Sequence, residues 1–102
     1  MKAMTTINTL LVKPGRIEEF VAAQRSFAEA MANRPNGLIG GRMYRSIDGS
    51  KAVLISQFQS TDEQAAVFQS PEFAAHLAKL RDMVEASSPD AYQEAYTYGA
   101  FK

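Results

Sequence analysis

The chain has no cysteine and no tryptophan, only one histidine, and no excess of either charge: eleven Lys and Arg balance eleven Asp and Glu over 102 residues. Without cysteine there can be no disulfide, thiol nucleophile or thiolate metal site. A formal charge of zero with no basic run argues against a nucleic-acid partner. No apolar run approaches the roughly 20 residues that a membrane span needs, so no membrane partner is expected. With a single imidazole, proton transfer near neutral pH and metal ligation must pass through His76 or do without a histidine.

What is present predicts one domain, residues 1–102, large enough for a single core. The N-terminus, Met1-Lys2-Ala3-Met4-Thr5-Thr6-Ile7-Asn8, has one lysine and then alternates polar and apolar residues, unlike a signal peptide. It reads as the start of a strand in a cytoplasmic protein. The strand runs from Met4 to Val12, and Lys13-Pro14-Gly15 ends it. Ile17, Phe20, Val21, Phe27, Ala28 and Met31 then recur at helical spacing, with Arg34-Pro35-Asn36-Gly37 as the stop.

Two strands, 38–46 and 51–59, flank Ile47-Asp48-Gly49-Ser50, a hairpin signal. Ser60-Thr61-Asp62-Glu63 is a capping box that opens a short helix to about Gln69. Ser70-Pro71-Glu72 opens another helix, in which Phe73, Leu77, Leu80 and Val84 form the apolar stripe, His76 and Met83 lie on its flank, and Ser87-Ser88-Pro89 is the stop. The alternation from Ala91 to Phe101, with Tyr92, Glu94, Tyr96 and Tyr98 on one side, predicts the last strand.

The resulting order is that of a ferredoxin-like α+β sandwich, a split βαβ unit whose four-stranded antiparallel sheet has helices on one face. Ile7, Leu11, Val53, Ile55 and the tyrosine row would leave the other face apolar, and a second copy of the chain across a two-fold axis is the simplest cover. A homodimer is therefore expected.

The segments Ile7-Asn8-Thr9-Leu10-Leu11-Val12-Lys13-Pro14-Gly15, Asn36-Gly37-Leu38-Ile39-Gly40-Gly41, Tyr44-Arg45-Ser46-Ile47-Asp48-Gly49 and Ser56-Gln57-Phe58-Gln59-Ser60 followed by Ser70-Pro71-Glu72 resemble the antibiotic biosynthesis monooxygenase family, over nearly the whole chain. The resemblance implies a dimeric α+β barrel and two enzyme activities. In one branch an electron-rich polycyclic or quinol substrate reacts with O2 through its own anion, with no metal or flavin, and the protein supplies shape, desolvation and hydrogen bonds. The other branch degrades haem with a strand-one asparagine, a pocket tryptophan and an iron-binding helix histidine. Asn8 and His76 match two of those positions. Val67, with Phe68 beside it, stands where the tryptophan would be, and Phe58 replaces a second tryptophan at the end of the third strand. Phenylalanine keeps the flat surface and loses the indole donor.

The expected site thus comprises Asn8 and His76 as catalytic candidates, with Gln24, Tyr44, Phe58, Val67 and Phe68 against a small aromatic substrate. Asn8 needs a partner, either a substrate oxygen or neighbouring backbone. Gln24, central in the first helix's stripe, needs one too, from substrate, water, Asn8 or Tyr44. His76 is open to three roles: general base, haem-iron ligand, or structural residue. The first role makes a cofactor-independent monooxygenase with no resident metal, the second makes haem the substrate, and the third leaves a non-catalytic dimer that binds a small ligand.

Overall fold

A computed structural model of the protein describes residues 4–33 and 36–101. Met1-Lys2-Ala3 of the N-terminal reading and Arg34-Pro35 of the first helix stop lie outside them. The elements are β1 (Met4–Val12), α1 (Ile17–Ala32), β2 (Leu38–Arg45), β3 (Lys51–Phe58), α2 (Thr61–Phe68), α3 (Pro71–Leu80) and β4 (Val84–Tyr92). The sheet order is β2-β3-β1-β4, with every neighbouring pair antiparallel. This is the ferredoxin-like α+β sandwich expected. No described helix is long and apolar enough to cross a membrane.

The register decides what each face carries. Thr6 pairs with Ser56, Asn8 with Leu54 and Leu10 with Ala52, and these even-numbered residues face the helices. Ile7 pairs with Ile55 and Thr9 with Val53 on the opposite, open face. One core cluster gathers Leu10, Val12, Ile17, Phe20, Ala23, Ala52, Leu80 and Met83, and a smaller one holds Met31, Phe58 and Val67. α1 contributes to both, and Gln24 lies between them along the helix.

Local chemistry fixes the helices that bear the site. Acidic Glu18 and Glu19 occupy the first turn of α1, where the helix dipole favours them. Arg16 bonds Glu19 at 2.7 Å and the Asp82 carbonyl at 3.2 Å, tying that turn to the end of α3. Ser60 Oγ accepts from the Glu63 amide, and Ser70 Oγ accepts from the Phe73 amide, both at 3.2 Å, so the two predicted caps are formed. Gly37 is buried beneath α2, and a Cβ there would collide with the Glu63 side chain. The hairpin turn is organised by Asp48, whose carboxylate accepts from the Ser50 amide and from the Ser50 and Ser46 hydroxyls; these bonds pull its pKa down to about 2.

The C-terminal third departs from the sequence expectation. α3 stops at Leu80 instead of continuing through Val84, and the last strand is Val84–Tyr92 instead of Ala91 to Phe101. Met83 and Val84 continue the helical spacing, but the Met83 carbonyl accepts from the Lys13 amide at 2.9 Å and draws the chain to the free side of β1. Ser87-Ser88-Pro89 therefore sits within a strand. β4 is an edge strand, where a proline costs the ladder least. Beyond it, residues 93–101 are irregular and exposed, because the tyrosine alternation has no strand to pair with in a single chain. The tail returns toward β2, where the Phe101 ring lies 6.0 Å from the Arg42 guanidinium.

Candidate functional site

A cavity of about 560 Å³ lies between the helices and the sheet, within the range of small-molecule sites. Its floor is polar where strands contribute Thr6, Asn8, Ser56 and Ser87. The wall is aromatic. Phe58 meets Phe68 edge-on at 5.8 Å, Phe68 stacks on Phe73 at 4.9 Å, and Phe73 stands 6.0 Å from Phe27. Three helices and one strand thus build a single aromatic surface, whose rings favour offset or edge contacts with another flat ring.

His76 closes this wall on the α3 side. Its ring lies parallel to Phe27, 4.0 Å away with a 4° interplanar angle. It is 7% exposed, whereas Leu77 is 48% exposed. The inward face of α3 is therefore Phe73, His76 and Leu80, and the histidine expected on the flank is in the buried row. Burial lowers the His76 pKa below its ordinary value of 6.5, with the nearby positive charge of Lys79 acting in the same direction. The ring is neutral at physiological pH.

Nε2 of His76 is hydrogen-bonded to Oε1 of Gln24, which gives each buried side chain one partner. Asn8 Oδ1 accepts from the Ser88 amide at 3.1 Å, so this asparagine ties β1 to the edge strand while lining the cavity. The Thr6 hydroxyl accepts from Gln64 Nε2 at 2.6 Å, joining the polar floor to α2.

Asn8, Gln24, Phe58, Val67, Phe68 and His76 all line the cavity. Tyr44 does not. It pairs with Val53 on the open face, is 48% exposed, and its hydroxyl meets the Arg42 guanidinium at 3.1 Å. The pairing parity of β2 puts it there, and Met43 is the residue that faces the helices. Phe27, Phe73, Thr6 and Ser56 also line the cavity though none was among the expected site residues. Their faces were readable from helical spacing and strand alternation, but a cavity behind them was not. Among the described residues no three His, Cys, Asp or Glu side chains cluster as metal ligands.

The sequence profile of the antibiotic biosynthesis monooxygenase family matches residues 3–79. No curated protein matches the chain. Several solved structures share its fold. SnoaB, a cofactor-independent oxygenase from Streptomyces nogalater solved as a point mutant, is 22% identical, with 95% of this chain and 97% of that one aligned at a TM-score of 0.82. A protein from Nitrosomonas europaea is also 22% identical, over 95% and 94% of the two chains, at 0.80. Rv0793 from Mycobacterium tuberculosis is 14% identical over 96% and 100%, at 0.79. The profile match spans well over half of the residues, and the chain belongs to the antibiotic biosynthesis monooxygenase family.

Proposed function

We propose that this protein is a cofactor-independent monooxygenase that oxidises a flat, electron-rich aromatic of the anthrone or hydroquinone type with O2. The observation that carries this reading is the placement of a neutral, buried imidazole in a cavity walled by four phenylalanines. For an anthrone the reaction balances without an outside reductant: a CH2 group and O2 give a carbonyl and water. His76 takes the acidic proton, and the carbanion supplies electrons to O2. The new C–O bond forms, the hydroperoxide loses water, and one oxygen atom stays in the product. The apolar wall strengthens hydrogen bonds to the anion by excluding water.

Haem degradation is less well supported. A haem substrate would need a histidine nitrogen for iron, and the Gln24 bond to Nε2 leaves Nδ1 alone for that role. It would also need cations for two propionates, whereas the charged side chains lining the cavity, His76 aside, are one Arg81 and one Glu85. The non-catalytic reading requires Asn8, Gln24 and His76 to be satisfied away from any cavity. Each has one protein partner, but each also lines the cavity. The same proposal includes a homodimer, supported by the half-buried Ile7, Val53 and Ile55 of the open face and by the exposed Tyr92, Tyr96 and Tyr98.

Oxygen uptake by the purified protein with 1,8-dihydroxy-9-anthrone and with 1,4-naphthohydroquinone, beside a haemin titration, tests the reading. Faster uptake than in buffer, with no His76-dependent haemin complex, is the expected result. A stoichiometric haemin Soret band lost in His76→Ala would move the function to haem.

A further inference from the structure

Two polar atoms of the buried pair have no use within the protein. Gln24 spends Oε1 on His76 and His76 spends Nε2 on Gln24. Neither Nε2 of Gln24 nor Nδ1 of His76 has a hydrogen-bond partner among the described residues. Yet among those residues no buried side-chain nitrogen or oxygen lacks a partner. Both atoms must therefore reach accessible space, and the space beside both residues is the aromatic cavity.

We propose that Gln24 and His76 act as one unit: Gln24 Oε1 holds the proton on His76 Nε2, leaving the Nδ1 lone pair to accept the substrate's proton, while the Gln24 amide N–H binds the oxygen on which the negative charge appears. This rests on the oxygenase reading above and assigns Gln24 a part in it. The chemistry follows from the donor inventory. A carbonyl oxygen can only accept, so the imidazole nitrogen facing it must carry hydrogen, and a neutral ring then has its lone pair on the other nitrogen. When Nδ1 takes the substrate proton the ring becomes cationic, and its Nε2–H bond to Oε1 strengthens. The proton leaves the substrate's O–H or C–H bond for Nδ1, and the resulting phenolate or enolate oxygen accepts from the Gln24 amide. Phe27, stacked on the ring, holds its plane in place.

The other charges beside the ring or the cavity are Lys79 on α3, Arg81 just past its end and Glu85 on β4, and Gln24 and Phe27 of α1 bring none. The substrate class implied is a flat phenol or enol whose anion carries its charge on an edge oxygen.

The single histidine makes the test direct, because the imidazole nitrogen NMR signals belong to one residue. In the wild-type protein at neutral pH, Nε2 should carry the proton and Nδ1 should be bare. Gln24→Met, which removes both amide ends at similar length, should lose that preference, and Gln24→Glu, which keeps the acceptor, should retain it. Nδ1–H in the wild type would mean that the amide is reversed and donates to the ring, leaving no base on the cavity; this overturns the proposal even if neither variant folds. An unchanged tautomer in Gln24→Met overturns it as well.

The donor half is read with 1,2-dihydroxyanthraquinone, whose absorption shifts on ionisation. Its anion should bind Gln24→Glu about ten- to a hundredfold more weakly than wild type, the span of one hydrogen bond to a charged group plus a new repulsion. Equal affinity sinks the donor role. A probe that fails to bind the wild type counts against the aromatic-substrate reading and the donor role together, while the tautomer result still decides the role of Oε1.

Discussion

Replacing His76 by phenylalanine should remove an acid-labile part of the stability. The wild-type ring is 7% exposed, and burial, with Lys79 assisting, lowers its pKa from 6.5. As pH falls through about 6.5 the unfolded chain takes up a proton that the folded chain still refuses. This contribution is therefore complete above that pH and is lost as pH falls toward the lowered folded value. The slope has a ceiling of one proton, about 1.4 kcal/mol per pH unit. Urea denaturation of both proteins, at about pH 7.5, 6.5 and 5.5, isolates the term because the carboxylates are common to both. The stabilisation from Asp48, held down to about 2, is present across this range and is lost only in much stronger acid. The hydrogen bond to Gln24 that the variant loses offsets its curve by a constant and leaves the slope unchanged. The wild type should lose stability relative to His76→Phe over the lowest interval, by up to about 1.4 kcal/mol. Parallel curves would refute the neutral buried imidazole, and with it the argument that His76 is a base in its resting state.

Phe20 is fully buried and does not line the cavity, so Phe20→Ala should cost about 3–5 kcal/mol in denaturant titration yet leave the affinity for 1,2-dihydroxyanthraquinone unchanged; a large loss of affinity would tie the cavity to the wrong core cluster. Asn8→Ala should cost about 1 kcal/mol and speed hydrogen exchange at the Ser88 amide, whereas Asn8→Asp, which keeps the acceptor, should protect that amide as the wild type does. For the open face, sedimentation equilibrium should give a dimer for the wild type and a monomer for Ile55→Glu, since the register centres Ile55 against Ile7 and Arg42; a wild-type monomer at micromolar concentration would disprove the assembly.

Most of the architecture could be read in the residues because local signals and pairing agree. The capping serines Ser60 and Ser70, the Asp48-Gly49 turn and the strand alternation of Thr6, Asn8 and Leu10 each point to the element that forms. Where they disagree, pairing wins. Val84 to Tyr92 has a weak strand composition and a proline, but β1 offers a free edge, and the tyrosine-rich tail that looked more strand-like has no such edge in one chain. The site was legible as faces and not as contacts. Strand parity put Asn8 toward the helices, and the same parity, had the β2 register been known, would have turned Tyr44 away. The hydrogen bond between Gln24 and His76 joins residues 52 positions apart and depends on how α1 and α3 settle on the sheet, which no spacing rule encodes.

The proposal that this cavity places oxygen into an aromatic substrate, with His76 as the base and no resident cofactor, can be read in a single reaction. Its most direct measurement is the reaction of 1,8-dihydroxy-9-anthrone with isotopically labelled O2 in the presence of a chelator, comparing wild type with His76→Ala. One labelled oxygen atom should appear in the new carbonyl, with one O2 consumed per product and an acceleration over buffer that His76→Ala loses. Product formation no faster than in buffer, or the same acceleration in His76→Ala, would contradict it.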